Sequence, residues 1–279
     1  MRLARFGEPG SERPAVIAGH EAYDLSGVVS DIDGWAVSPG GLETIRSCLN
    51  ELPRLDISGL RVGASIAKPG TIYCIGLNYA DHAAESNAEL PTEPVVFLKP
   101  SNTIVGPFDA VAIPRHCTKT DWEVEIGIVI GAPSLYLDDI DQATRAIAGY
   151  VTVNDFSERE LQLERSGGQW SKGKAAPGFT PVGPTFVSSD EVDVRALRLR
   201  SWVNGELRQD SSSAELIFDP ARIVYELSQF AQLDPGDLIL SGTPAGVALS
   251  GRYPYLQAGD VVEVEVENLG RQRAAMVSS

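Results

Sequence analysis

A chain of 279 residues with 43% hydrophobic and 22% charged residues has a globular composition and enough length to bury a sizeable core. Acidic residues outnumber basic ones, 38 against 23, for a formal net charge of −15, which argues against a nucleic-acid partner and against docking on an anionic membrane. Cys48, Cys74 and Cys117 are widely spaced and make neither a disulfide framework nor a zinc motif. The opening residues lack the apolar core of a signal peptide, and no run approaches the ~20 apolar residues of a membrane span. A reducing cytoplasm is the expected compartment.

Residues 1–65 differ from the rest. They hold short strand-like pieces such as Ala15–Ala18, the turn Pro39-Gly40-Gly41, and a helix expected over Leu42–Leu52, where Leu42, Ile45, Leu49 and Leu52 share a face and Pro53 ends the run. The lone His20 reads as a surface histidine. The segment is read as a small N-terminal domain, with residues 66–279 forming a second, larger one. From about Ser65 the chain becomes a series of short apolar runs broken by Gly and Pro, among them Thr71–Ile75, Val95–Leu98, Val124–Ile130, Tyr150–Val153, Leu238–Leu240 and Val261–Val266. Helices are fewer: Asp81–Glu89, Asp139–Ala146 and Pro220–Gln232. Strands and helices do not alternate as a doubly wound parallel sheet requires, so the expected class is α+β and β-rich.

Chemistry-bearing residues follow in chain order. On the expected helix after Thr71–Ile75, His82 and Glu85 are three apart and share a face. A carboxylate beside an imidazole orients it and raises its basicity, which suits a water-activating base. A solvated histidine on an exposed helix fits the same spacing. In Asp121–Ile130 a strand places Glu123 and Glu125 on one face and Trp122, Val124 and Ile126 on the other. Two carboxylates entering an apolar core repel each other, so one takes a proton or both share a cation. Glu263, Glu265 and Glu267 repeat the alternation but run into the turn Asn268–Arg271, which fits a solvated face.

Asp155 follows the apolar strand Gly149–Val153 and offers a third carboxylate; a turn or cap aspartate is the equal alternative. An all-oxygen set would select Mg²⁺, Mn²⁺ or Ca²⁺ over zinc. Gly168–Ala175 nearly matches a phosphate-binding loop. It fails where Ala175 replaces the magnesium-ligating hydroxyl, so no nucleotide site is expected, although Lys174 beside glycines could serve an oxyanion. The turn Ser241–Gly246 offers backbone N–H groups and the Thr243 hydroxyl to a carboxylate, or is a plain turn.

In this order, Gly76–His82 with Glu85, Lys99-Pro100, Thr120–Glu125, Asn154–Gln162 with Gly173-Lys174, and Leu240–Pro244 together resemble the fumarylacetoacetate hydrolase family over about residues 65–270. The resemblance implies a mixed β-roll catalytic domain, a homodimer, and a divalent metal, commonly Mg²⁺, on Glu123, Glu125 and Asp155. It casts His82 and Glu85 as the water-activating pair and Lys174 as the active-site lysine, with Arg159, Gln162 and Thr243 as substrate contacts. Within the family the chain is most similar to the group of ureidoglycolate lyases and hydrolases of 2,4-dioxo-3-deoxy sugar acids. Ala175-Ala176-Pro177 departs from the Ser-x-Asp that many members carry there.

The expected reaction is hydrolytic C–C cleavage of a small 2,4-dioxo acid, an acylpyruvate, to pyruvate and a carboxylic acid. The same site chemistry also serves a lyase, decarboxylase, hydratase or isomerase acting on a related 2-oxo acid or ureidoglycolate. A non-catalytic 2-oxo acid binding protein would need no His82–Glu85 pair, and a structural β-domain would bind no metal.

Overall fold

In the computed structural model, which describes residues 1–81 and 90–279, the apolar run Val124–Ile130 is a strand buried along its whole length. Its side chains alternate between two hydrophobic clusters. Trp122, Val124, Ile126, Ile128 and Ile130 enter one, and Val129 enters the other. Its antiparallel neighbours are Ile147–Asn154 and Leu238–Leu240. Leu238–Leu240 lies parallel to Ile72–Gly76, which pairs with Val95–Lys99. Cover on both faces explains why the inner strands read as continuous apolar runs rather than as alternating ones.

These five strands form one half of a ten-stranded mixed sheet. The other half continues through Phe186–Ser188 into Arg2–Phe6, Arg13–Ala18, Glu21–Asp24 and Arg54–Leu55. Residues 1–65 therefore share a sheet with the rest, and Leu3, Leu25, Ile32 and Ile45 share a cluster with Val151, Leu238 and Leu240. The helix here runs Pro39–Cys48, three residues earlier than Leu42, because Ser38 accepts from the Gly41 N–H and Pro39 fits the first turn. Leu49–Glu51 is a separate 3₁₀ turn.

A second sheet of five strands, in the order Glu206–Ser212, Arg198–Val203, Val261–Val266, Gly270–Ser278 and Val111–Ile113, closes over the Ile126 face. Leu199, Val203, Val262, Val264 and Val266 fill the interface. Glu263 and Glu265 point outward and pair with Arg271 and Arg200 at 3.0 and 2.6 Å. The helices Ile140–Ala146 and Pro220–Ser228, capped by Asp139 and Asp219, pack on the same cluster. The latter ends before Gln232, where Gln229 caps the Glu226 and Leu227 carbonyls. Of the expected helix Asp81–Glu89, all but Asp81 lies outside the described residues. No helix among the described residues is long and apolar enough to cross a membrane.

Strand register sets where the chemistry gathers. Val124 faces Asn154, Gly127 faces Leu240, and Leu240 faces Cys74. The start of Val124–Ile130 thus meets the ends of Ile147–Asn154, Leu238–Leu240 and Ile72–Gly76 on one edge of the core. Gly127 keeps these strands close: a Cβ there would lie 2.6 Å from Val151 Cγ2, 2.7 Å from Val153 Cγ2 and 3.1 Å from Leu238 Cδ1. Gly127→Ala should overpack this junction and cost about 1–3 kcal/mol. The expected readout is a lower urea midpoint at unchanged m-value; an unchanged midpoint would show that the junction has slack.

Candidate metal centre

At that edge the chain places Glu123, Glu125 and Asp155, each buried, with one carboxylate oxygen apiece all within 4.8 Å of one another. Antiparallel pairing produces the arrangement. Asp155 directly follows the strand opposite Val124, and its N–H donates to the Glu123 carbonyl at 2.9 Å. The Glu123 N–H donates to Asn154 Oδ1 at 3.0 Å. Glu125 Oε2 accepts from the Gly242 N–H at 2.7 Å, which ties the third strand's turn to the cluster.

Three buried cations hold the carboxylates. Lys174 Nζ donates to Glu123 Oε2 and Asp155 Oδ2, both at 2.7 Å. Lys99 Nζ donates to Asp155 Oδ1 and to the carbonyls of Phe156 and Phe179. Arg159 Nη1 reaches Glu123 Oε1 at 2.7 Å and Gln162 Oε1 at 2.8 Å, while its Nε donates to Asp121 Oδ2 at 2.8 Å. Asp121 also accepts the N–H groups of Ala248 and Leu249, anchoring the loop beside the site. Arg159 Nη2 is buried and has no hydrogen-bond partner among the described residues. Burial works against the charges of Lys174 and Arg159, but the carboxylates around each outweigh it and hold both above their ordinary ranges. Burial, then Asp155 and Glu123, push Glu125 well above the usual carboxylate range; Lys174 and the Gly242 N–H oppose this only in part.

A hard divalent cation fits this donor set. Five buried carboxylates (Asp121, Glu123, Glu125, Asp155 and Glu158) stand against three buried cations (Lys99, Arg159 and Lys174). With every carboxylate ionised the excess would be two negative charges, which a proton on Glu125 or a bound cation relieves, and the three clustered groups offer oxygen only. A cavity of ≈150 Å³ opens on Glu123, Glu125, Arg159, Gln162, Lys174 and Thr243.

Of the seven described residues assigned from the sequence to metal, catalysis or substrate, six line this cavity; the seventh, Asp155, does not line it but is held to the cluster by Lys174 and Lys99. The Thr243 hydroxyl is committed: it donates to the Val124 carbonyl at 2.9 Å and accepts from Gln209 Nε2 at 2.8 Å. His82 and Glu85 lie outside the described residues. Lys99 and Asp121 stood in the resemblance blocks without a role. Lys99, at the end of the apolar strand Val95–Lys99, carried the readable sign that a lysine buried there needs a carboxylate. No spacing identifies Asp155, 56 residues away, as that partner. Trp170 and Phe97, which line the cavity, carried no sign at all.

Residues 71–277 match the family model described as fumarylacetoacetate (FAA) hydrolase, C-terminal. A 2,4-didehydro-3-deoxy-L-rhamnonate hydrolase from Sphingomonas sp. (strain SKA58) is 43% identical over 98% of this chain and 95% of that protein. Among solved structures, a fumarylacetoacetate hydrolase from psychrophilic Exiguobacterium antarcticum is 33% identical, with a TM-score of 0.86 over 100% of both chains. A maleylpyruvate hydrolase from Sphingobium sp. SYK-6, in complex with manganese(II) ion and pyruvate, is 25% identical, with a TM-score of 0.82 over 100% of both chains. The strand-rich α+β architecture is the one these structures share.

Burial and the neighbouring carboxylates favour a proton on Glu125, so a cation entering the cluster competes with that proton. Affinity for Mg²⁺ should rise as pH climbs through the raised Glu125 range, with proton release seen as a buffer-dependent heat in titration calorimetry. Glu125→Gln should abolish that release and weaken binding roughly tenfold or more. Affinity that does not change with pH would show that Glu125 is already ionised before the cation arrives.

Proposed function

The chain belongs to the fumarylacetoacetate hydrolase family, and from that premise we propose that it is a divalent-metal-dependent hydrolase. Its reaction is cleavage of a carbon–carbon bond in a small 2,4-dioxo acid, releasing pyruvate and a carboxylic acid. The observation that carries this reading is the buried carboxylate triad, two of whose members, Glu123 and Glu125, line a cavity of ≈150 Å³ beside Lys174 and Arg159, whose Nη2 has no hydrogen-bond partner among the described residues. The similarity to hydrolases named for a 2,4-didehydro-3-deoxy sugar acid and for maleylpyruvate supports it.

Glu123, Glu125 and Asp155 would hold the cation, Mg²⁺ by preference, with Mn²⁺ or Ca²⁺ as alternatives on the same oxygen donors. When bound, the cation supplies Lewis-acid polarisation of the 2-oxo acid. Arg159 Nη2 is a buried donor suited to a substrate oxygen, where a charge-assisted bond is strongest. Gln162 Oε1, by accepting from Arg159 Nη1, keeps that guanidinium in place. Thr243 lines the cavity with its hydroxyl engaged by Val124 and Gln209, so a substrate contact there would have to come from its backbone. His82, oriented by Glu85, takes a proton from water while the water oxygen bonds to the 4-carbonyl carbon. The C3–C4 bond then breaks, its electron pair passing to a pyruvate enolate. The Lys174 ammonium faces that negative charge, and a proton returns to C3.

Incubation of the metal-free protein with a simple acylpyruvate, followed by ultraviolet absorbance, tests the reading. Absorbance should fall only with Mg²⁺, with pyruvate as product. His82→Ala should lower kcat by about 10²–10⁴ while leaving Mg²⁺ affinity near normal. Turnover that survives chelation, or full activity in the variant, would sink the mechanism. Mg²⁺ binding without cleavage would shift the weight to lyase, decarboxylase, hydratase or isomerase chemistry, or to a non-catalytic 2-oxo acid binder.

A further inference from the structure

We propose that this site selects 2-oxo acids whose far end is short and uncharged, and that it rejects dicarboxylates of the same length; the assignment of that far end as an acyl group rests on the reaction proposed above. The cavity has two unlike parts. Every charged side chain lining it among the described residues belongs to the metal cluster: Glu123, Glu125, Arg159 and Lys174. Beyond Lys174 the wall is aromatic and aliphatic. The Phe97 ring centroid lies 5.3 Å from Lys174 Nζ, and Trp170 meets Phe97 edge-on at 5.7 Å. Trp170 in turn lies against Gly76, where a Cβ would come within 2.3 Å of the indole. Only glycine lets the indole settle there, so this surface is built into the sequence at two separate positions. Leu163 and Leu249, 44% and 37% exposed, form the mouth.

Among the described residues no cation is left for a second carboxylate, the one open donor, Arg159 Nη2, lying within the metal cluster at the 2-oxo acid end. Lys174 is engaged by Glu123 and Asp155, and Arg159 by Asp121 and Glu123. The cations flanking Leu163 and Trp170 in sequence turn elsewhere: Arg165 pairs with Glu160, and Lys172 donates to the Arg165 carbonyl. Residues 82–89 contain no lysine or arginine. A distal carboxylate would lose its water against Phe97, Trp170, Leu163 and Leu249 without an ion partner, which is the costly case. An alkyl or other neutral end gains from the same contact. The ≈150 Å³ of space, roughly five water volumes, restricts that end to a few atoms.

The test is a calorimetric titration of the full chain in Mg²⁺ with 2-oxohexanoate and with 2-oxoadipate, six-carbon acids that differ only at the far end. Turnover of butanoylpyruvate is compared with that of succinylpyruvate in parallel. We expect 2-oxohexanoate to bind at least about tenfold tighter, and kcat/KM to follow the same order. Leu163→Arg, a cation added at an exposed position of the mouth, should shift the binding ratio toward 2-oxoadipate by about fivefold or more. Equal or tighter binding of 2-oxoadipate by the unmodified protein overturns the proposal, as does binding of neither acid. If neither acylpyruvate is cleaved but the binding order holds, the hydrolytic reading fails and the selectivity stands. If both are cleaved with equal kcat/KM, the reaction stands and the selectivity falls.

Discussion

Carboxylates removed from water and crowded within 4.8 Å of one another repel, and burial penalises each charge further. Glu123, Glu125 and Asp155 are in that position, and much of the surrounding structure answers it. Lys99, Arg159 and Lys174 are buried only because these carboxylates hold them, and the carboxylates tolerate burial only because the cations are there. Neither set would be stable inside the protein without the other. The compensation is incomplete, which is why Glu125 is pushed toward its protonated form and why a further positive charge has a place.

The backbone is organised so that this tension falls at one spot. Trp122, Val124, Ile126, Ile128 and Ile130 anchor their strand in the larger core, and the alternation turns Glu123 and Glu125 to the other side, where both are buried. Antiparallel pairing then brings Asp155 opposite Glu123, and the Gly242 N–H closes on Glu125 from the next strand's turn. Asp121 ties Arg159 to the backbone of Ala248 and Leu249, so the charge network and the mouth of the cavity are one mechanical unit. The aromatic wall of Phe97 and Trp170 adjoins the ammonium of Lys174 directly, which places a low-polarity surface beside the most charged part of the molecule. In such surroundings each remaining charge interaction is stronger than in water, to the benefit of a wanted ligand and the detriment of an unwanted one.

Glu123 and Glu125 could be singled out as candidates in advance for a local reason, whereas Asp155 read equally well as a cap or turn residue. Glu123 and Glu125 sit two apart at the entrance of a strand whose later residues are apolar on both faces, and that transition separates them from Glu263 and Glu265, which keep a solvated face and pair with Arg271 and Arg200. Strand periodicity reports the face of a side chain, and the apolar run reports its depth. Helix ends were less legible. Ser38 and Pro39 move one start forward, and the turn at Gln229 cuts another helix short, because capping depends on single hydrogen bonds that periodicity does not register.

Sequence alone determined the strand-rich α+β class and made candidates of Glu123, Glu125, Asp155, Lys174 and Thr243 through short local patterns, while Arg159 and Gln162 became candidates only through the family resemblance. Only the tertiary structure decided that Lys99 and Asp121 belong to the same network, that the Thr243 hydroxyl is spent on Val124 and Gln209, and that Phe97 and Trp170 wall the cavity. It also placed residues 1–65 in the same ten-stranded sheet as the site. The physical reason is common to all of these. Whether a buried charge has a partner, or a hydroxyl a free hydrogen, depends on groups brought near by strand register across tens or hundreds of residues, and no periodicity along the chain encodes that distance.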